Sequence, residues 1–183
     1  GGGISVSAHR RGRVIDVNNA LDGEGPFSTE RAGTIPAGQL VEMCFSGRYD
    51  IRQMKKMIHG HGGLMAYMGT NDMITISRWA EDGEEPCRTI LDAMLYTIAK
   101  QIGAMHVTLH GEEHAIILTG GIAHSTYCMD RLRPQIDFLA PVVVMPGENE
   151  IASLAYNALL TGRIEVCEYD GKGTSVIANP LQR

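Results

Sequence analysis

The chain has 183 residues, 44% of them hydrophobic and 20% charged, a composition that supports a sizeable core and excludes the disordered and low-complexity classes. Its formal net charge of -5 argues against nucleic acid and anionic membranes as partners, and no apolar run reaches the length of a membrane span. Cys44, Cys87, Cys128 and Cys167 form neither a CxxC pair nor a metal-ligand pattern, so they read as reduced core thiols of a cytoplasmic protein.

The chain opens Gly1-Gly2-Gly3-Ile4 without a methionine, which reads either as a tag scar or as a cut within a longer chain. Residues 1–18 read as a hairpin. Ile4, Val6 and Ala8 alternate with Ser5, Ser7 and His9, Arg10-Arg11-Gly12 turns the chain, and Val14, Asp16 and Asn18 alternate with Ile15 and Val17. Asp16, late in the second strand, reads as a turn residue or a ligand. Residues 19–36 form a long non-periodic segment in which Arg31 is the single cation. Loops of that length in a compact domain are functional or disordered. From spacing alone Arg31 is a surface residue paired with Glu24 or Glu30.

Two short helices follow over 37–46 and 50–59, with Leu40, Val41, Cys44 and Phe45, then Ile51, Met54, Met57 and Ile58, at helical spacing. His59-Gly60-His61-Gly62-Gly63 is a glycine-rich turn whose H-x-H pair lacks a third metal ligand. Asp72 is placed to cap the next helix. Residues 84–104 are the longest helical stretch, with a broad apolar face from Ile90 to Ile102. His106, His110 and His114 recur every four residues, but Gly111 and Val107-Thr108-Leu109 favour a strand or loop there over a zinc-binding helix.

Residues 115–125, AIILTGGIAHS, read as a strand buried on both faces that ends in Gly120-Gly121, with Ser125 capping a helix over 125–136. Paired glycines at the carboxyl end of a strand let backbone approach a nucleotide or phosphate; the alternative is a plain tight turn. Residues 141–145 form a second fully buried strand, ending in Pro146-Gly147-Glu148-Asn149-Glu150, and a helix over 151–160 is closed by Gly162. Strand, short turn and helix thus recur twice, the pattern of a parallel sheet with packed helices. Residues 164–183 read as a short strand or irregular segment.

Four stretches together resemble the butyrate kinases of the acetokinase family, within the superfamily of sugar kinases, heat-shock chaperones and actin. They are GGGISVSAHRRGRVIDVNNALDGEGPFSTERAG (1–33), HGHGGLMAYMGTNDM (59–73), ILTGGIAHS (117–125) and VMPGENE (144–150). The resemblance implies an α/β fold, one actin-like (ribonuclease H-like) ATPase lobe with a mixed five-stranded sheet and helices on both faces. It implies that residues 1–183 are the carboxyl-terminal nucleotide-binding lobe of a two-lobe kinase, with the amino-terminal lobe absent.

The resemblance further implies ATP/ADP and magnesium as cofactors and a short-chain carboxylate or acyl phosphate as substrate. Gly1, Gly2 and Gly3 would approach the nucleotide phosphates through backbone amides, and Arg31 would stand by the transferring phosphoryl group. Gly120, Gly121 and Ile122 would pack on the adenosine. Asp72 would lie at the nucleotide, although Asp72-Met73-Ile74 replaces the Asp-Phe-Arg of acetate kinases. Glu150 or Glu148 would be linked to magnesium, and Asp16 is a further metal-sphere candidate. The lobe alone is expected to be inactive and to self-associate. The readings kept beside it are a non-catalytic assembly module of the same fold and a histidine-based metal hydrolase.

Overall fold

The computed structural model describes residues 2–147 and 149–161. The chain forms two compact units, residues 1–148 and 149–183. In the second, the described element is α7 (Glu150–Thr161), which begins where expected; Gly162, Cys167 and the expected tail strand lie outside the described residues.

The first unit opens with the expected hairpin. Strands β1 (Ser7–Arg10) and β2 (Arg13–Val17) pair antiparallel across Arg11-Gly12, both with positive φ, 52° and 76°. Two successive positive values match the twist of the strands. The register slips by one residue after Ala8↔Asp16, so the next pair is His9↔Val14. Below Ser7 the Asn18 N–H still donates to the Val6 carbonyl at 3.4 Å, and the buried Asn18 side chain adds further bonds. Its Oδ1 accepts from the Val6 N–H at 2.6 Å, and its Nδ2 donates to the carbonyls of Ile4 (3.2 Å) and Glu24 (3.0 Å).

Three short helices follow the long loop: α1 (Ala37–Phe45), α2 (Ile51–Ile58) and α3 (Gly63–Met68). A capping box between Asp50 and Gln53 starts α2. The apolar positions of α1 do not join the core: none of its residues is buried, and Cys44 is exposed, unlike the buried Cys87 and Cys128.

Helix α4 (Met73–Glu81) is capped by Asp72, as its sequence predicts. Helix α5 (Glu85–Thr108) runs past the expected end at 104. Gly103 weakens a helix interior by about 1 kcal/mol, but Met105 two residues further is buried, and packing outweighs the propensity. Leu91, Met94, Leu95, Ile98 and Ile102 form the buried stripe of α5. It packs with Ile76 and Ala80 of α4, Leu118, and Cys128, Met129 and Leu132 of α6 (Thr126–Leu132). That last helix stops before Pro134, with a 3-10 turn over Arg133–Gln135 completing the expected segment.

Strands β3 (Ile116–Gly120) and β4 (Val142–Pro146) pair in parallel, in register Ile116↔Val142 through Gly120↔Pro146, with α6 in the crossover. Neither is buried on both faces. Leu118 enters the core, whereas Ile117 and Val143 remain 60% and 43% exposed. The described residues therefore form two separate two-stranded sheets, and the expected five-stranded sheet is not assembled among them. Among the described residues, no helix is long and apolar enough to cross a membrane.

Candidate anion site

The loop carrying Arg31 is held by main-chain atoms of the glycine-rich turn. The Glu30 carbonyl accepts from the Gly60 N–H (2.8 Å) and the Gly62 N–H (3.1 Å), and the Ala32 N–H donates to Ile58 (2.9 Å). Leu64 and Met65 donate their N–H groups to the carbonyls of Ser28 (2.9 Å) and Thr29 (2.7 Å). Arg31 and His59 form an isolated antiparallel bridge. The approach is so close that a Cβ on Gly62 would lie 2.6 Å from both the Ala32 nitrogen and the Met57 oxygen. His59-Gly60-His61-Gly62-Gly63, with its H-x-H metal alternative, thus serves here as a backbone clamp.

The Arg31 side chain does not pair as spacing alone suggests. Glu24 accepts from the Asn19 N–H, and the Glu30 carboxylate accepts from Asn71 Nδ2 at 3.1 Å. Arg31 Nη1 donates to the Ala20 carbonyl at 3.2 Å, while its Nε is buried without a partner. Gly2 and Gly3 lie directly against these groups: a Cβ on Gly3 would collide with the Arg31 guanidinium, and one on Gly2 with the Glu30 carboxylate. A buried guanidinium nitrogen with no acceptor is costly, and an anion is the partner that would satisfy it. The donor set and the glycine cradle fit a phosphate-like group. Gly1 lies outside the described residues.

The Glu30–Asn71 bond brings the start of α4 beside this loop. The Asp72 carboxylate itself is engaged as the cap, accepting from the Thr75 hydroxyl (2.5 Å) and the Ile74 N–H (3.1 Å). The Thr75 hydroxyl, and then the Ile74 amide, hold its carboxyl below the usual aspartate value.

A second group forms at the carboxyl ends of β3 and β4. Gly120 and Gly147 exchange N–H···O bonds of 3.1 and 3.2 Å, and the Thr119 hydroxyl donates to the Gly147 carbonyl at 3.3 Å. Gly120 has φ 82°, and the chain then enters a 3-10 turn over Gly121–His124 in which Ile122 packs on the core and Ala123 is buried. A Cβ on Gly120 or Gly121 would meet nothing within 4 Å, so the surface there is open.

Of the three metal candidates, Asp16 is the one whose side chain the structure describes. Asp16 accepts from the Thr108 hydroxyl at 3.3 Å, far along the chain from Glu148 and Glu150. Glu148 and the Glu150 side chain lie outside what the structure describes. Among the described residues no three His, Cys, Asp or Glu side chains cluster as a metal site. Magnesium bound with a nucleotide needs only one or two carboxylates beside the phosphates, so Asp16 singly meets the chemistry of that donor set. The histidines after residue 104 do not share a helix face. His106 sits in the last turn of α5 and bonds Glu113, and His110 has a left-handed φ of 59°.

Ser28, Asn18 and Asn71 also shape the site, and no sequence motif marks them. Ser28 carried a readable signal: a serine three residues before an amide it can accept from is a local turn pattern.

Solved structures show the fold. The chain matches acetate kinase from Entamoeba histolytica with a TM-score of 0.74 at 18% identity, over 88% of this chain and 50% of that one. This is the actin-like ATPase fold. The sequence profile of the acetokinase family matches residues 1–143, and the chain belongs to that family. It is 70% identical over 159 residues to a probable butyrate kinase of Phocaeicola vulgatus, covering 87% of this chain and 45% of that protein. A probable butyrate kinase of Bacteroides thetaiotaomicron is 53% identical over 171 residues, covering 92% and 48% respectively. The chain spans about half the length of these curated relatives.

Proposed function

We propose that residues 1–183 are the carboxyl-terminal nucleotide-binding lobe of a cytoplasmic two-lobe kinase that transfers phosphate reversibly between ATP and butyrate or a similar short-chain acid. The observation that carries this reading is the Arg31 guanidinium, with a partnerless buried Nε, held against Gly2 and Gly3. The identity to two proteins named probable butyrate kinase supports the choice of acid.

In this reading the backbone amides of Gly1–Gly3 hold the phosphates and Arg31 offsets the charge that develops on the transferring phosphoryl group. Gly120, Gly121 and Ile122 lie along the adenosine, whose approach the open surface at the two glycines permits. Asp72 orders the start of α4 at the nucleotide. Asp16, Glu148 and Glu150 are the residues that would hold magnesium, which supplies charge neutralisation at the phosphates. A carboxylate substrate is ionised at neutral pH, its pKa being about 4, so no strong general base is required of the chain. Positioning and Arg31 carry the catalysis, and a second lobe completes the site and excludes water. Self-association through this lobe belongs to the same reading; Val41 and Phe45 of α1, 54% and 86% exposed, are apolar surface that supports it.

The test is an acyl-hydroxamate assay with butyrate and acetate, ATP and magnesium. It compares this chain, a longer chain carrying the other lobe, and that longer chain with Arg31→Ala. Butyryl hydroxamate from the longer chain alone, lost with Arg31→Ala, is the expected result. A folded longer chain inactive on every carboxylate would overturn the reading.

A further inference from the structure

We propose that Ser28 is a positioning residue that locks the Gly2–Gly3 peptide and Arg31 into one fixed relation; this deepens the kinase reading and rests on it. Ser28 is 1% exposed, and its hydroxyl is used twice. It donates to the Gly2 carbonyl at 2.5 Å and accepts from the Arg31 N–H at 3.2 Å. Its main chain is used twice as well: the N–H donates to the Arg31 carbonyl at 3.0 Å, and the carbonyl accepts from Leu64 at 2.9 Å. One residue is therefore bonded to the glycine cradle, to the arginine loop and to the first turn of α3.

The reason such a lock is needed lies in the glycines. With no Cβ on either side, the Gly2–Gly3 peptide can turn over at little steric cost. In a trans peptide the C=O and the following N–H point in opposite directions. Holding the Gly2 carbonyl on Ser28 therefore directs the Gly3 N–H away from Ser28. A turned-over peptide would present a carbonyl oxygen where an anion requires a donor. The Thr29 hydroxyl lies 3.5 Å from the same carbonyl, a far weaker contact than the Ser28 bond at 2.5 Å. The second bond, from the Arg31 amide, fixes the base of the guanidinium arm against the same oxygen atom. Ser28 acts through Gly3 and Arg31 and needs no contact with substrate.

A double-mutant cycle in the longer chain tests this, using Ser28→Ala, Arg31→Ala and the pair. Ser28→Ala removes one oxygen and should lower kcat on the order of 10- to 100-fold, the range expected for a lost buried hydrogen bond at a charged site. KM for ATP should rise several-fold, because the Gly3 amide that faces the phosphates is no longer held, while KM for butyrate should stay within about twofold. Ser28→Cys, which keeps a weak donor and guards against a folding failure of the alanine variant, should fall between. In the Arg31→Ala background the further cost of Ser28→Ala should shrink to the share that acts through Gly3, about half of its wild-type value on a logarithmic scale. A full-sized cost in that background would show no coupling between Ser28 and Arg31, and would overturn the lock between them.

Amide hydrogen exchange on this chain tests the lock without any enzyme activity. Ser28→Ala should speed exchange of the Arg31 N–H about tenfold or more while leaving the buried turns of α5 unchanged. Unchanged Arg31 exchange would overturn the lock. An inactive wild-type longer chain with slow Arg31 exchange that Ser28→Ala releases would refute the kinase reading while leaving the lock intact.

Discussion

Gly63→Ala should be among the most damaging single-methyl additions to this chain, and Gly47→Ala the matched control. Both glycines have positive φ, 56° and 72°, so alanine at either costs about 1–2 kcal/mol of backbone strain. At Gly47 a new Cβ would meet nothing within 4 Å. At Gly63 it would stand 2.8 Å from the Arg31 carbonyl oxygen and 2.9 Å from the Ser28 carbonyl carbon, and would collide with the Ser28 oxygen. These are main-chain atoms that cannot rotate away, so overpacking adds about 1–3 kcal/mol. Displacing the Leu64 N–H from Ser28 adds about 1 kcal/mol. The sum is about 3–6 kcal/mol at Gly63 against about 1–2 kcal/mol at Gly47. Urea unfolding followed by circular dichroism reads this directly. With a slope of about 2 kcal/mol per molar, Gly63→Ala should move the midpoint by about 1.5–3 M and Gly47→Ala by less than about 1 M. Equal shifts would refute the claim that the arginine loop and the glycine turn are fitted backbone to backbone.

Leu91→Ala, at the fully buried centre of α5, should cost about 2–5 kcal/mol in the same unfolding assay. Asp72→Ala should raise amide exchange in the first turn of α4 and leave α5 untouched, since the carboxylate caps only Ile74 and its neighbours. Burial pushes the Glu113 carboxyl up, but its hydrogen bond with His106 outweighs this and holds it below the ordinary 4.5. A depressed carboxyl stabilises the fold above its unfolded value and loses that contribution as pH falls through the folded value. Wild-type stability should therefore decline below about pH 4.5, and Glu113→Gln should flatten that acid limb in a pH series of urea midpoints.

Local chemistry was legible in the sequence where a residue's partners lie within a few positions. Asp72 and Ser125 cap the helices their spacing predicts, and Arg11-Gly12 turns the hairpin. Burial was less legible, because it depends on what lies opposite. The apolar run Ile116-Ile117-Leu118 predicts a strand covered on both faces, yet Ile117 is left 60% exposed. Helix α5 runs past Gly103 because that residue's propensity weighs little against the burial of Met105, whose carbonyl accepts from the Leu109 N–H at the helix end. Arg31 shows the limit most clearly. Its neighbours in sequence, Glu24 and Glu30, suggest an ion pair, but both are claimed by Asn19 and Asn71. Only the fold reveals that claim. Asp16 is another case: its place on β2 is legible in the alternation of the strand, whereas its contact with the Thr108 hydroxyl at the end of α5 is not.

The clamp on the arginine loop consists of main-chain bonds, and this shapes how the region would respond to sequence change. The side chains of His59 and His61 contribute none of the bonds that seat Glu30 and Arg31; their neighbours Gly60 and Gly62 supply the amides. A saturation library across 59–63 should accordingly accept broad chemistry at the two histidines and almost none at Gly62 and Gly63. Engineers seeking new side chains around the arginine could vary those two positions while the scaffold beneath it stays still.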